Sequence, residues 1–193
     1  MLRCSAAISS FIFMPRTTQA AKQSSAEDDL RMIARVLSGG VGEHHLRTLV
    51  DALAKALDAR MVILGRLSGS GERVETVALY DDGSLRPNMS YLLEHTPCAS
   101  VLGGDLCLYP SGVSKRFPLD LQLAEIGAEA YAGTPLVDSL GRVLGLLSII
   151  FSHPIRDQER VTTLLRIFAS RASLELERLL IDQRMYRQIT ADL

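Results

Sequence analysis

Two hydrophobic periods share this chain. From Glu43 to Leu57, Leu46, Leu49, Val50, Leu53, Ala54 and Leu57 recur every three or four residues, the pattern of an amphipathic helix. His44 and His45 stand at its start and are expected to be solvated. A shorter helix is expected from about Glu27 to Leu37. Ser24 or Ser25 would cap it, Glu27, Asp28 and Asp29 suit its positive end, and Gly39-Gly40 stops it. Its apolar stripe is Leu30, Ile33, Ala34 and Leu37.

The period then shortens. Met61 to Leu67 and Arg73 to Tyr80 are rich in β-branched residues and flank Ser68-Gly69-Ser70-Gly71, which predicts a hairpin. Asp81-Asp82-Gly83-Ser84 reads as a turn. A second hairpin is expected from Ala128 to Val137 and from Arg142 to Phe151, around Asp138-Ser139-Leu140-Gly141. Leu144 to Phe151 is apolar at both parities, so this strand should be covered on both faces. Between the hairpins, Thr96-Pro97-Cys98 reads as a helix cap, first-turn proline and first turn, with Gly103-Gly104 as the stop. Asp105 to Pro110 is a short strand candidate, and a further helix runs to Gly127 with Pro118 near its start and Asp120 in its first turn.

The last segment, Asp157 to about Thr190, contains no Gly and no Pro. A helix of roughly 34 residues is about 50 Å long. A domain of this size is only about 30–35 Å across, so the helix should project beyond its own domain. Leu165, Phe168, Ala172, Leu179, Tyr186 and Ile189 fit heptad core positions, interrupted by Glu175 and Asp182. A parallel dimer helix is the favoured reading, against one packed only on its own sheet.

Composition narrows the class. The 193 residues are 47% hydrophobic, with a net charge of −1, so the chain can bury a core and shows no basic footprint for nucleic acid. Three cysteines, Cys4, Cys98 and Cys107, are too few for a disulfide framework and point to a reducing cytoplasm. No apolar run approaches the roughly 20 residues that span a bilayer. Residues 1–26 carry Arg3, Arg16 and Lys22 with no acid, around a short apolar centre. They read as a disordered extension or as a targeting-like segment with a poor cleavage site at Thr18-Gln19-Ala20.

The middle section, Pro87 to Gly127, concentrates the candidate chemistry. His95, Cys98 and Cys107 could be soft metal ligands, but the paired spacing and fourth ligand of zinc motifs are missing. Cys98 at a helix start could be a nucleophile, although no third orienting group accompanies His95. A Cys98–Cys107 redox pair would need α-carbons within about 7 Å. The reading that asks least of the residues makes Cys98 part of a pocket wall. No phosphate loop, dinucleotide-binding glycine triplet or Gly-x-Ser-x-Gly elbow occurs.

One ordered string spans these motifs. It comprises Thr96-Pro97-Cys98, Tyr109-Pro110, Phe117-Pro118 with Asp120, Ala130-Tyr131-x-Gly133-x-Pro135-Leu136, and Asp138-Ser139-x-Gly141-x-Val143-Leu144-Gly145-x-Leu147. It resembles a GAF domain, the sensory module of bacterial signalling proteins, over roughly residues 43–180. Arg166 to Leu179 resembles the exit helix that joins such a module to the next.

The resemblance implies an α+β fold with a central antiparallel sheet of about five or six strands. The terminal helices would lie on one face and a ligand pocket on the other. The implied domain is 27–180, followed by a projecting helix over 157–193. The implied function is a non-enzymatic sensor, cytoplasmic and homodimeric through its terminal helices. It would bind a small molecule or partner and act on an output domain such as a histidine kinase or diguanylate cyclase. Members bind cyclic nucleotides, tetrapyrroles, haem or small metabolites, so the cofactor is left unnamed. Bilin-binding members carry a Cys-His dipeptide that is absent here. A catalytic branch reduces free methionine sulfoxide, so the alternative function is a thiol-based reductase using Cys98. In this fold, Cys98, Tyr109, Phe117, Asp120, Tyr131 and Thr134 are the expected ligand-binding residues; the rings would offer stacking surface, and Asp120 or Thr134 a polar anchor.

Overall fold

The computed structural model describes the backbone of residues 16–191 and the side chains of residues 27–190. The targeting-like or disordered extension expected over residues 1–26 lies outside the described residues up to residue 15. From Arg16 onward the chain is helical: α1 runs Arg16–Leu37, starting earlier than the expected Glu27. Its buried face also differs from the expected stripe. Val36 is buried and Met32 and Ile33 pack beside it, whereas Leu30 and Leu37 are exposed. An ion pair sets this rotation: Arg160 grips Asp29 through Nε and Nη2, both at 2.8 Å, and its Nη2 also donates to the Ala56 carbonyl.

The helix α2 (Glu43–Leu57) forms where the period predicts, with its six apolar residues inside. The first hairpin is β1 (Met61–Leu67) and β2 (Arg73–Asp81). Two three-residue strands follow, β3 (Ser84–Arg86) and β4 (Ser90–Leu92), both paired to β2. Neither is long enough to show a period. After α3 (Pro97–Val101) come β5 (Cys107–Tyr109), α4 (Val113–Arg116) and α5 (Leu121–Glu125). The second hairpin, β6 (Ala130–Val137) and β7 (Val143–Phe151), precedes α6 (Gln158–Ala191).

Seven antiparallel strands make one sheet, in the order β3-β2-β1-β7-β6-β5, with β4 also on β2. β7 is a central strand, paired with β1 and β6, and it is apolar at both parities because both of its faces are covered. Leu147, Ile149 and Phe151 face α2 and α6, while Leu146 and Ile150 face the other way, into a second core. β1 and β7 approach so closely that a β-carbon on Gly145 would lie 2.0 Å from the Gly65 carbonyl oxygen. This is the physical content of the glycine in Val143-Leu144-Gly145.

The β6–β7 turn is held by one carboxylate. Asp138 accepts hydrogen bonds from the backbone N–H groups of Leu140 and Arg142 and from Arg142 Nε, while Gly141 takes the positive φ the turn needs (78°). Burial alone would push the Asp138 carboxyl up, but the donors of Arg142 and Leu140 hold it below the ordinary carboxylate value.

A second carboxylate ties the helices together. Glu175 is 3% exposed and accepts the Gly42 N–H just before α2. Arg171 and Arg178 approach it at 3.9 Å. Arg171 Nε also donates to His45 Nε2 at 3.3 Å. His45 is therefore buried rather than solvated, and desolvation together with Arg171 lowers its pKa. Gly39 makes room: a β-carbon there would sit 2.7 Å from the imidazole. Glu175, which interrupts the heptad row, is thus part of the domain interior.

The α6 helix is docked along most of its length. Leu165, Phe168, Ala172 and Leu176 belong to the core under the sheet, with Leu179 and Leu180 packed against it. Arg66 reaches Gln183 at 2.8 Å, so only the turns beyond Gln183 stand free, about 10 Å of helix. The expected heptad face is used up inside the domain as far as Leu179. Of that face only Tyr186 and Ile189 are exposed, and Leu174, Ile181 and Met185 are exposed apolar residues outside it. Leu174, Ile181 and Met185 share a stripe on a different side of the helix from Leu165 and Ala172.

Glu175→Ala should lower stability by about 3 kcal/mol, because it strands the Gly42 N–H and two arginines; chemical denaturation measures it, and a loss below about 0.5 kcal/mol contradicts the assignment. The Asp138 contribution carries its own pH signature. A carboxyl with a depressed folded-state pKa stabilises above its unfolded-state value, near 3.9, and loses that effect as pH falls through the folded value. Asp138→Asn should therefore melt below wild type at pH 7, with the gap closing below about pH 4.

Candidate functional site

The sheet face opposite α2 and α6 carries the candidate site. Pro97 opens α3 and Thr96 holds the N-cap position with extended backbone (φ −94°, ψ 155°), as its sequence predicts. The Thr96 hydroxyl does not cap the helix, however; it donates to the Leu93 carbonyl at 2.7 Å. This closes the turn before α3 and presses Cys98 into the core beneath, where the residue is 4% exposed.

Cys98 is the centre of a buried polar group. The hydroxyls of Tyr131 and Tyr91 donate to its sulfur at 3.4 and 3.5 Å, and its S–H donates to Ser148 Oγ at 3.8 Å. Two accepted bonds and one donated bond suit a protonated thiol. Burial pushes the thiol up, beyond what the Tyr131, Tyr91 and Ser148 hydrogen bonds can lower it. Burial likewise pushes the Tyr91 and Tyr131 phenols up, with Cys98 adding to the effect. The short α3 therefore does not make Cys98 a thiolate, and the nucleophile that a thiol-based reductase needs is disfavoured at this position.

Period two sorts the other expected residues. In β6, Tyr131 and Gly133 face α3, while Ala130, Ala132 and Leu136 face the helices. Thr134 shares the parity of that second set and pairs in register with Leu147, so it lies on the far side of the sheet from Cys98. Tyr131 is fully buried, and its ring runs over Gly133, where a β-carbon would meet the phenolic oxygen at 2.3 Å and Val101 at 2.8 Å. The glycine of Tyr131-x-Gly133 thus lets the phenol reach Cys98. Tyr109 and Phe117 cluster beside Tyr131, Tyr109 meeting Phe117 edge to face with ring centroids 5.2 Å apart and Tyr131 at a tilt with centroids 6.0 Å apart. Arg116 lies 4.9 Å above the Tyr109 ring.

A cavity of about 150 Å³ lies between this polar group and the outer segments. Ile63, Leu79 and Ile150 form its sheet wall. Met61, Met89 and Tyr91 line one side, and Thr96, Pro97 and Cys98 another. Asp120, Gln122 and Leu123 close it from α5. Of the expected site residues, Cys98 and Asp120 line this cavity; Tyr109, Phe117 and Tyr131 form the aromatic cluster beside it, and Thr134 joins neither. Tyr91, Met61, Met89 and Ser148 escape sequence reasoning. Tyr91 falls in a three-residue strand without a period, whereas Ser148, a lone polar residue in an otherwise apolar central strand, is a readable signal.

Asp120 occupies the N-cap position of α5, one step before the first turn expected for it. Burial in the cavity wall pushes its carboxyl up, only partly offset by the backbone N–H groups of Leu123 and Gln122.

His95 takes no part. It is exposed, has a positive φ of 66°, and sits 3.3 Å from Glu94. Cys107 lies in β5 with its sulfur 3.8 Å from the Asp105 carbonyl; it and Cys98 are free thiols. Among the described residues, no three His, Cys, Asp or Glu side chains converge as a metal site. A larger hollow of about 1260 Å³ runs between α1 and α2. It is an open groove whose charges are largely paired internally, such as Lys55 with Asp51 and Arg160 with Asp29.

The family model described as GAF domain matches residues 43–176. The chain belongs to the GAF domain family. Its fold is similar to the GAF domain of an Acinetobacter phosphoenolpyruvate-protein phosphotransferase, with a TM-score of 0.63 at 16% identity, covering 83% of this chain and 98% of that one. It is also similar to the chromophore-binding domain of a Stigmatella aurantiaca bacteriophytochrome (TM-score 0.61, 15% identity, 80% of this chain and 60% of that one). A third is the chromophore-binding domain of an unusual bacteriophytochrome from R. palustris (TM-score 0.64, 11% identity, 83% and 64%). At these identities the likeness concerns the fold, and this GAF domain spans less than two thirds of either bacteriophytochrome domain. No curated protein matches the chain. Among the described residues, no helix is long and apolar enough to cross a membrane.

Gly133→Ala should push the Tyr131 phenol off Cys98, at a cost of about 1–3 kcal/mol. In a Cys4→Ser, Cys107→Ser background, the remaining thiol should react faster with a disulfide reagent than in the parent; an unchanged rate would mean that the ring does not shield Cys98.

Proposed function

We propose that this GAF domain is a non-enzymatic sensor that binds a small molecule in the cavity beneath α3 and α5 and relays occupancy through the sheet to α6. The observation that carries this reading is the two-sided burial of β1 and β7. Ile63 and Ile150 line the cavity, while their neighbours Val62, Leu64 and Ile149 pack against the helices. A ligand that shifts the first set by a few tenths of an ångström must move the second, because a close-packed interior does not absorb such displacements locally.

The output in this reading is a homodimer formed along α6. Its seam is the exposed stripe Leu174, Ile181 and Met185, continued by Ile189, rather than the heptad residues already buried in the domain. A histidine kinase or cyclase joined to such a helix would receive the change as a rotation or shift of paired helices. Cytoplasmic location is part of the proposal and accords with two described cysteines held as free thiols.

Native mass spectrometry of the protein purified from its own cells tests both parts. The expected result is a dimer carrying a small bound mass. Met185→Glu should convert it to monomer, and Leu79→Phe, which fills the cavity, should remove the bound mass. A wild-type chain that is monomeric and empty at micromolar concentration overturns the reading.

A further inference from the structure

The cavity also restricts what it can hold, a step that rests on the small-molecule reading above. Its volume of about 150 Å³ is half the lower end of the range, about 300 Å³, usual for drug-sized ligands, and matches cavities that accept a single benzene-sized ring. Its wall is mainly apolar and includes two methionine thioethers and one phenol ring, which suit an apolar or polarisable body.

The charge of the lining is one-sided. Asp120 and Glu125 border the cavity, and no Lys, Arg or His does. Asp120 has no ion-pair partner among the described residues, whereas the two buried carboxylates, Asp138 and Glu175, both have arginines beside them. An anionic ligand would enter next to an uncompensated carboxylate with no cation to receive it, so phosphates and carboxylates are selected against. A ligand cation would supply the missing partner, and the adjacent Tyr91 ring and methionine sulfurs would accommodate it.

We propose that the cavity binds a small organic amine, with a body about the size of one aromatic ring, whose ammonium group pairs with Asp120. The aliphatic sheet wall takes the ring and the α5 side takes the charge. The ligand class is thereby distinguished from the nucleotides and pigments that a larger or more basic pocket would hold.

Three probes of matched size and different charge test this: phenethylamine, phenethyl alcohol and phenylacetate. Titration calorimetry on the full chain should show the amine binding at least about tenfold more tightly than the alcohol, the difference expected of one charge-assisted hydrogen bond. Phenylacetate should show no binding. Asp120→Asn and Asp120→Ser, both able to hold an N-cap position, should reduce amine affinity to that of the alcohol and leave the alcohol unchanged. Equal binding of amine and alcohol, binding of phenylacetate, or equal loss of every probe in the Asp120 variants overturns the assignment. Binding of the alcohol alone discards the charge pairing while leaving the small-molecule cavity standing. Failure of all three probes overturns the ligand class; the sensory reading falls only if the native protein also carries nothing.

Discussion

Two-sided burial of the central strands is the constraint on which the rest of this domain depends. β1 and β7 lie side by side with no room for a β-carbon at Gly145, and each sends alternate side chains into two separate cores. One core is an ordinary helix-on-sheet interior built by α2 and α6. The other is smaller, contains a buried thiol, two phenols and a serine, and borders a cavity. A sheet in this arrangement is a shared wall, and little can be altered on one side without the other adjusting.

The carboxylates show how the fold assigns different work to one chemical group. Asp138 is surrounded by donors and closes a turn. Glu175 is buried but flanked by arginines and a backbone N–H, and fastens α6 to the entrance of α2. Asp120 is half-buried at the start of α5, borders the cavity and has no ion-pair partner among the described residues. The first two are satisfied, so their roles are structural. The third has backbone N–H groups on one side but no cation, and it borders a cavity, so a counterion is the partner it lacks.

Much of the architecture was legible because burial imposes periods. The α2 helix, both hairpins and the two-faced β7 follow directly from spacing, and the ordered string from Thr96 to Leu147 identifies the family. The turn signals were equally direct, since Asp138 and Gly141 act through local backbone geometry. Short elements were not legible: β3 and β4 are only three residues each, too short for a pattern to rise above chance. The orientation of α1 was also hidden, because the Arg160–Asp29 pair that sets it joins residues 131 apart.

The candidate site divides along the same line. Cys98 and Asp120 could be picked out because helix-start chemistry is local, and the alternation of β6 already contained the parity that separates Thr134 from Tyr131. Which heptad residues of α6 stay free could not be read, because an apolar stripe has the same period whether it packs on its own sheet or on a second chain. By itself, then, the sequence determined the longer elements, the family and the two faces of the sheet, all of which arise from nearest-neighbour sterics and periodic burial. Only the tertiary structure decided that His45 and Glu175 are interior, that the free seam of α6 is Leu174–Ile181–Met185, and that Asp120 faces a cavity without a counterion. Those depend on which distant side chains meet, and pairing across long chain separations leaves no mark in local spacing.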